Sequence, residues 1–366
     1  MSEVTLASAS EKQKWISQYY AEYVRSSGFK AYMGRSSSSI IQAKYELTEE
    51  AGKTINIPLI TRLTGTGVTG ATVLDGNEEE LGNYNCDITV NWRRNAVRIP
   101  KSTSYKTEID LWGAAKDMLR TWEADKLRDD IIKAMLSVST SGSTTVNLED
   151  SSSTNRNAYA AGNSDRLLFG KLISNYSATW ATAVGNIDTT DDKCTVASMS
   201  LGKRIAKAAD PHIRPFKTED GREYYVAFHG SRTFRDLKID TTMTQANREA
   251  RPRDVEANPL FQDGDLIYDG IVHREIPEID TIAGAGTYQL DGVGNGSCDV
   301  RPVFLCGAQA VGIAWGQEPT PRTDTTKDYS FRPGVAIEEL LGVKKISFNG
   351  KQHGMVSCFF AAAADS

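Results

Sequence analysis

A long amphipathic helix is predicted over residues 105–139, where apolar side chains recur at helical spacing on one face. That face is formed by Leu111, Ala115, Met118, Trp122, Ile132 and Leu136, and it is widened by Trp112 and Leu119. Ser104 stands where an N-cap residue would begin the helix. At about 1.5 Å per residue, the segment would be about 50 Å long. The segment is either a large core helix or a spine that joins an extended arm to a globular body. We expect Trp122 to be buried against the β tail, the strands predicted near the C-terminus.

Strand periodicity precedes this helix and predicts a β arm. Apolar and polar residues alternate over residues 54–63, and a second alternating run returns over residues 87–99. The apolar register of the second run shifts by one position, which predicts a β-bulge near residues 93–95. A Gly-rich segment with the acidic run Glu78, Glu79 and Glu80 joins the two runs. Because hairpin loops are usually much shorter, this tip is expected to be disordered or held by another subunit.

Both ends of the chain carry further predicted elements. Residues 1–50 form an arm with a helix over residues 11–28, which places Trp15, Tyr19 and Tyr23 on one face, and a flexible break at residues 35–39. An arm buries little surface by itself, so this aromatic stripe would pack in the core or against a neighbouring chain. At the other end, two strands over residues 343–348 and 354–361 flank the turn dipeptide Asn349-Gly350.

Between the long helix and the tail, the sequence predicts a linker and then a compact α/β unit. Residues 137–164 are dominated by Ser, Thr, Asn and Gly, which predicts a long surface loop or linker. The α/β unit is predicted over residues 198–316, with helices and strands in mixed order. Its helices are expected at residues 197–209 and 232–239, and its strands at residues 224–228, 270–276 and 303–306.

The composition is that of an ordinary folded protein and excludes several classes. The 366 residues are 40% hydrophobic and 24% charged, which is enough chain for two or more domains. No apolar run approaches the ~20 residues that span a membrane, and the N-terminus lacks a signal-peptide core. The formal net charge of -5 argues against a basic nucleic-acid binder. Five scattered cysteines fit a reducing compartment, so we expect the protein to be made and kept in cytoplasm.

A glycine motif offers one possible cofactor site. Gly65, Gly67 and Gly70 match Gly-x-Gly-x-x-Gly after a strand, but a dinucleotide site also needs a helix that opens directly after the motif. Residues 71–76 are rich in β-branched residues and end in a turn dipeptide. This pattern favours a flexible arm tip, and we expect no cofactor.

No catalytic or metal-binding constellation is visible in the sequence. The chain has four histidines: His212, His229, His273 and His353. None of them is spaced for metal binding with another histidine, a cysteine or a carboxylate, which favours ordinary structural roles. Asp188, Asp191 and Asp192 do not match a calcium loop, and a solvated acidic turn is the favoured interpretation. We therefore expect neither a resident metal ion nor an enzyme.

Three arginines lie on the second run of the β arm: Arg93, Arg94 and Arg98. A nucleic-acid patch would interleave them with aromatic side chains, which this segment does not do. They fit better as counter-charges to an acidic partner.

The order of these parts resembles the major capsid protein fold of tailed phages, the Hong Kong 97 type, and within it the coat protein family of the phage N-four type. In the arm, the resemblance rests on Ile57-Pro58-Leu59, on residues 63–68, and on Gly70, Leu74, Gly76 and Glu78-Glu79. It continues through residues 94–98, the long helix, residues 224–237 and Asn258-Pro259-Leu260-Phe261. It covers about residues 51–363.

The resemblance implies an α+β fold with four parts. Residues 1–51 would be an N-terminal arm, and residues 52–101 would be an extended β-hairpin loop that overlaps an adjacent subunit. A peripheral β/α domain would comprise the spine helix and the β tail, in residues 102–195 and 317–366. Residues 196–316 would be the axial α/β domain, which converges on the five-fold and six-fold centres.

The resemblance also implies the function. Copies of the chain would assemble as hexamers and pentamers into an icosahedral shell around packaged double-stranded DNA, in the virion and from subunits made in the bacterial host cytoplasm. Decoration, scaffolding and portal proteins would be further partners, while sequence-specific DNA binding and membrane contact are not expected. Residues expected at inter-subunit contacts are Trp15, Tyr19, Gly65, Gly67, Gly70, Glu78, Glu79, Glu80, Arg93, Arg94 and Arg98.

Two other interpretations remain open from the sequence. An encapsulin shares the shell fold but encloses enzymes instead of DNA, and neighbouring genes would distinguish it. A nucleotide-binding enzyme would use the loop from Gly65 to Gly70, but the helix and the acid–base residues that it needs are not found in the sequence.

Overall fold

The chain is described by a computed structural model that covers residues 28–49, 52–71, 73–107, 109–139, 145–217, 221–249, 266–284 and 290–364. Trp15 and Tyr19 of the predicted N-terminal arm lie outside these residues, as does the segment Asn258-Pro259-Leu260-Phe261.

The described chain contains both helices and strands, in mixed order. The strands are β1 (Met33–Gly34), β2 (Ile41–Lys44), β3 (Thr54–Ile60), β4 (Asn83–Thr89), β5 (Asn91–Arg98), β6 (Val138–Ser139), β7 (Thr145–Val146), β8 (Leu167–Phe169), β9 (Phe216–Lys217), β10 (Glu223–His229), β11 (Leu266–Tyr268), β12 (Ile271–Glu275), β13 (Val300–Cys306), β14 (Val311–Asp324), β15 (Gly334–Lys345), β16 (Ser347–Phe348), β17 (Lys351–Gln352) and β18 (Met355–Ala361). The helices are α1 (Glu46–Glu49), α2 (Lys101–Ser104), α3 (Leu111–Leu136), α4 (Ser153–Gly162), α5 (Trp180–Gly185), α6 (Val196–Ala208), α7 (Ser231–Ile239), α8 (Thr241–Glu249) and α9 (Glu278–Ala283).

The chain divides into two compact units. In the described residues, the smaller unit comprises Trp92–Leu127 and Gln317–Leu340. Its core forms where the first half of α3 packs on β15, with Leu119, Val335 and Ile337 buried and two tryptophans, Trp112 and Trp122, packed against them. The larger unit comprises Gly28–Asn91, Arg128–Gly316 and Leu341–Ser366, and α3, β14 and β15 run from one unit into the other.

The larger unit is built on a mixed sheet in the order β11-β12-β10-β13-β18-β8, with β9 paired to the start of β10. Strands β10 and β12 are parallel, β13 is antiparallel to both β10 and β18, and β8 is parallel to β18. Helices α6 and α7 cover a core that includes Met199, Phe234, Leu305 and Phe360. Gly202 of α6 faces the sheet, where a Cβ would make ordinary contact with the Cys358 sulfur at 3.5 Å. The predicted α/β elements are thus confirmed, and β8 and β18 extend the sheet beyond residues 198–316.

The long helix is confirmed, but it starts later than predicted. Helix α3 begins at Leu111, where the Asp110 carboxylate accepts hydrogen bonds from the N–H groups of Trp112 at 3.1 Å and Gly113 at 3.0 Å. The prediction that Ser104 caps this helix is wrong, because Ser104 ends the separate short helix α2. Trp122 is half-buried and packs with residues of β15, so the expectation that it packs on the β tail is also wrong.

The β arm is confirmed as an antiparallel pair, but its second run is two strands. Strand β3 pairs with β4 in a register that joins Thr54 to Thr89 and Ile60 to Asn83. Instead of the predicted bulge, the chain breaks at Val90, which is buried and whose N–H donates to the Lys53 carbonyl at 2.9 Å. Strand β5 then lies at the edge of a second sheet in the order β1-β2-β14-β15-β5. The phase shift in the sequence therefore marks a change of sheet.

The prediction that residues 137–164 form a surface linker is wrong. This segment contains β6, β7 and the helix α4, whose N-cap Ser152 accepts a hydrogen bond from the Asn155 N–H at 3.2 Å. Its polar residues serve a buried network instead of solvation: Asn163 is fully buried and donates to the Gly350 carbonyl, and the Tyr159 hydroxyl donates to Gln352. The polar composition of the segment alone could not distinguish a solvated linker from a buried hydrogen-bond network.

The buried network continues around two cations. Arg166, which is fully buried, donates to the carbonyl oxygens of Gln352 at 2.7 Å and His353 at 2.9 Å. The ammonium group of Lys345 donates to the Ser137 carbonyl and lies 4.6 Å from the centre of the Tyr159 ring. Burial lowers the pKa of Lys345 to about 7. These contacts join the end of α3, helix α4 and the hairpin β16–β17.

The tail hairpin is confirmed in a shorter form. Strands β16 and β17 pair around Asn349 and Gly350, which have φ of 49° and 77° as a two-residue turn of this type requires. Strand β18 leaves the hairpin and enters the large sheet between β13 and β8. Near the N-terminus, residues 35–39 form the turn between the parallel strands β1 and β2, where the sequence predicts a flexible break.

Candidate assembly surface

The strands of the β arm pack on their own chain. Their apolar face places Ile57 and Leu59 against a cluster of Cys86, Ile346 and Phe348. Beyond the strands, the Arg62 guanidinium contacts the Asp210 carboxylate at 2.9 Å. The base of the arm is therefore held by its own subunit, and what remains for a partner is the loop tip, residues 63–82.

A carboxylate closes the neck of the loop tip. Glu79 accepts hydrogen bonds from the backbone N–H groups of Thr64 at 2.6 Å and Gly65 at 2.7 Å. These bonds favour the charged carboxylate and hold the pKa of Glu79 below its ordinary value. A Cβ at Gly65 would lie 2.6 Å from Glu79 Oε2, so a larger residue there would make the carboxylate shift from its present position.

The other glycines of the motif supply backbone conformation. Gly67 and Gly70 have φ of 66° and 68°, in the left-handed region that other residues rarely adopt. No described residue from 71 to 82 is helical, so the helix N-terminus that a dinucleotide site needs is not found in this part of the chain. The glycine motif shapes the loop tip.

The loop tip presents apolar and acidic side chains to solvent. Leu63, Val73, Leu74 and Leu81 each expose more than half of their surface, which is unusual for a group so close together unless a partner covers it. Of the predicted acidic contact residues, Glu78 accepts a hydrogen bond from the Gly76 N–H at 2.8 Å and Glu79 closes the neck. Glu80 is exposed.

The three predicted arginine contacts differ in how they are used within the smaller unit. Arg93 pairs with Glu339, which is almost fully buried, and Arg98 lies 3.9 Å from Asp324. Arg94 is exposed. Burial and the neighbouring Glu339 carboxylate raise the pKa of Glu123, and the Arg93 charge opposes that shift. Arg93 thus stabilises its own subunit, which leaves Arg94 as the most available of the three for a partner.

Two of the histidines meet, which the sequence spacing did not indicate. His229 Nε2 lies 2.9 Å from His273 Nδ1, and both side chains are almost fully buried. The two histidines are distant in the sequence and meet because the parallel strands β10 and β12 bring them side by side. Burial lowers the pKa of His273 to about 3, and burial with the neighbouring imidazole lowers that of His229. Within the described residues, no group of three or more His, Cys, Asp or Glu side chains is arranged to hold a metal ion.

The acidic turn has a structural role. Asp192 is buried and accepts hydrogen bonds from the N–H groups of Lys171 at 2.9 Å and Asp188 at 3.1 Å, and from the Asn175 amide. The expected solvated turn is therefore correct for Asp191, which is exposed, and wrong for Asp192, while Asp188 is half-buried. Among the described helices, none is long and apolar enough to cross a membrane.

Relatives of known function share both the sequence and the fold. The sequence profile of the family described as phage capsid protein matches residues 3–360. The major capsid protein of Pseudomonas phage KPP25 is 26% identical over 364 residues, which are 96% of this chain and 95% of that protein. The capsid asymmetric unit of cyanophage Pam1 is 50% identical, with a TM-score of 0.92 over 100% of both chains. The capsid of Ralstonia phage GP4 is 21% identical, with a TM-score of 0.73 over 100% of both chains.

These similarities define a tailed-phage capsid protein with the α+β fold of the Hong Kong 97 type, as the resemblance implied. The chain belongs to the phage capsid protein family. It is a major capsid protein, and its copies form an icosahedral capsid. The relatives support this function over the encapsulin and nucleotide-binding alternatives.

Proposed function

We propose that residues 52–101 include the extended loop of this capsid protein and that the loop tip lies across an adjacent subunit in hexamers and pentamers. The observation that carries this proposal is the cluster of exposed aliphatic side chains on a tip whose neck is closed by Glu79. A closed neck lowers the entropy cost of docking, because the tip does not need to be ordered on binding. The strand pair beneath it supplies a rigid base, since its apolar face is already packed on the same chain.

The remaining parts take the roles that the resemblance implies. The spine helix and the β tail form the peripheral domain, and residues 196–316 form the axial domain that meets its copies at the five-fold and six-fold centres. Gly65, Gly67, Gly70, Glu78, Glu79 and Glu80 act at inter-subunit contacts through the loop tip that they shape, as do the exposed Arg94 and Arg98 in the smaller unit and Trp15 and Tyr19 in the N-terminal arm, whereas Arg93 stabilises its own subunit. The role is structural and requires no catalytic step.

The shell encloses packaged double-stranded DNA without reading its sequence. A formal net charge of -5 is compatible with this role, because a packing motor instead of wall affinity drives DNA into the shell. The protein functions in the virion capsid after assembly in the bacterial host cytoplasm, with scaffolding, decoration and portal proteins as further partners.

Replacing residues 64–82 by Asn-Gly tests the role of the loop tip. The connection between the paired residues Ile60 and Asn83 would then be five residues, a usual length for a hairpin loop, so we expect a folded, soluble subunit that fails to form closed particles. Circular dichroism and unfolding in urea check the fold, and sedimentation velocity with electron microscopy checks assembly. Thr69→Ser is a matched control that keeps the loop intact and should assemble normally. Closed shells of normal size from the shortened chain would overturn the proposal.

A further inference from the structure

A surface in the larger unit carries positive charge that its own chain leaves uncompensated. This basic groove has a volume of about 560 Å³ and lies after the C-terminal end of α6. Its basic side chains are Lys207, His212, Arg214 and Lys217. Glu223 is the carboxylate among its lining residues, and it pairs with Lys217 at 3.0 Å. Lys207 and Arg214 are exposed and form no ion pair within 4 Å in the described residues, and the nearest charge effect on Lys207 comes from Asp269, whose pKa Lys203 and Lys207 lower.

The walls of the basic groove are suited to carboxylates. The guanidinium of Arg214 donates a hydrogen bond to the Gln309 side chain at 2.5 Å, which fixes its orientation while leaving other N–H groups free. Ser37 and Ser38, in the turn between β1 and β2, line the opposite part and add hydroxyl donors. Ile213 is almost fully buried, and the half-buried Pro215 provides an apolar surface among the lining residues. Arginine recognises a planar carboxylate through paired N–H donors more specifically than a diffuse counter-ion.

Another cavity of this unit is also lined by cations, but they form ion pairs within the chain. It has a volume of about 690 Å³ and is lined by residues of the arm base and the tail hairpin. Its cations are matched within the chain, since Arg62 pairs with Asp210 at 2.9 Å and Lys351 pairs with Asp165 at 3.2 Å. Unpaired positive charge is therefore a property of the basic groove and not of every cleft in the unit.

The loop tip carries the opposite charge. Residues 64–82 contain four carboxylates and neither lysine nor arginine. Two of the four, Glu78 and Glu79, bind backbone N–H groups of their own loop. Asp75 and Glu80 are exposed and make no ion pair with the described residues. The single chain thus presents unpaired carboxylates on a protruding tip and unpaired cations in a concave groove.

We propose that the basic groove is the receptor for the loop tip of a second copy of this chain. This inference rests on the proposed role of the loop tip and adds the partner surface. Arg214 and Lys207 bind Glu80 and Asp75 of the neighbouring tip, and the exposed leucines of the tip cover the apolar residues beside them. Docking neutralises both sets of charges. Because neither set forms ion pairs in the isolated subunit, few existing pairs have to be broken on docking. The neck closure by Glu79 keeps the two free carboxylates in a fixed arrangement.

A double-stranded DNA backbone is a less suitable occupant. It binds extended stripes of lysine and arginine that follow successive phosphates, whereas this groove is concave and has Glu223 in its wall. Binding of a duplex oligonucleotide can be measured separately from docking of the loop tip.

Charge exchange between the two surfaces tests the proposal. The full-length double variants Lys207→Glu/Arg214→Glu and Asp75→Lys/Glu80→Lys should each lower the yield of closed particles by about tenfold or more, since two exposed ion pairs become repulsive. The quadruple variant should recover most of the wild-type yield, because the charges are opposite again. Lys193→Glu, a reversal at an exposed lysine outside the groove, should assemble normally.

Two outcomes would overturn the receptor assignment. The groove variant could assemble like wild type, or the quadruple variant could remain as defective as the double variants although all subunits are folded by circular dichroism. A groove variant that assembles normally but loses binding of a duplex oligonucleotide would assign the groove to nucleic acid instead. If shortening the loop tip blocks assembly while charge exchange fails to restore it, the tip retains its proposed role and only the receptor is wrong.

Discussion

The backbone N–H of Gly65 is hydrogen-bonded to the Glu79 carboxylate at the neck of the loop tip. The Gly65 N–H donates to Glu79 Oε2 at 2.7 Å, and a Cβ at residue 65 would lie only 2.6 Å from that oxygen. The contact joins the first glycine of a cofactor-like motif to the acidic run that follows it. In this structure both features shape the loop tip.

Gly65→Val should open the neck without unfolding the subunit. The Cβ would displace the Glu79 carboxylate, and the exposed loop contributes little to the core. We expect faster proteolytic cleavage within residues 64–82, a lower yield of closed particles and an unchanged urea midpoint. Gly185→Val, at a glycine with open space around its Cβ position, is a control for the proteolysis measurement. Equal cleavage rates for wild type and Gly65→Val would contradict the closed neck.

The neck should also open in acid. Because the folded-state pKa of Glu79 is lowered from 4.5, its stabilising effect is present above that value and is lost as pH falls through the lowered pKa. Cleavage within the loop tip by an acid-active protease should therefore rise with falling pH in wild type. Glu79→Gln should show rapid cleavage at every pH, and a parallel pH dependence in both proteins would exclude Glu79 as the cause.

Trp122→Ala should destabilise the smaller unit. Trp122 is half-buried and packs on the cluster of Leu119, Val335 and Ile337, so the cost should be about 2–3 kcal/mol, below that of a fully buried tryptophan. Leu119→Ala, at a nearly fully buried position of the same cluster, should cost about 2–5 kcal/mol. Chemical unfolding measures both, and an unchanged midpoint for both variants would show that this face of α3 is not a core element.

The histidine pair should make the larger unit sensitive to acid. In the folded chain the pKa of His273 is lowered to about 3, and that of His229 is also lowered from 6.5. Between the lowered folded-state values and 6.5, the unfolded chain therefore binds more protons than the folded one. Stability therefore falls as pH decreases through that window. The double variant His229→Gln/His273→Gln should flatten the slope of unfolding free energy between about pH 4 and 6. His212→Gln, at an exposed histidine, should leave the slope unchanged, and an equal slope in all three proteins would contradict the assignment.

Local sequence patterns predicted the helices and turns that are stabilised by residues close in the sequence. They did not predict contacts between residues that are far apart in the sequence. Helix α6 has its own capping box at Thr195 and Ser198, and the β16–β17 turn uses Asn349-Gly350, so both were visible in the sequence. The helix α4 was missed because Tyr159 and Asn163 bury their polar groups against residues near 350. The pairing of His229 with His273 was missed for the same reason, since it depends on strand order.

The candidate surface was predicted in part. The alternation in residues 54–60 and the acidic Gly-rich tip identified the arm, and the family resemblance gave it a role. The sequence could not show that Glu78 and Glu79 bind their own loop, because backbone donors leave no signature in side-chain identity. Nor could it show that Arg93 is paired to Glu339, which is distant along the chain, or that Lys207 and Arg214 line one groove.

Electron cryomicroscopy of assembled wild-type particles, at a resolution that traces side chains, tests the central claim most directly. The account predicts that residues 63–82 lie on an adjacent subunit in every hexamer and pentamer, while β3 and β4 remain packed on their own chain. A reconstruction in which the loop tip folds back onto its own subunit, or projects into solvent without touching a neighbour, would contradict it.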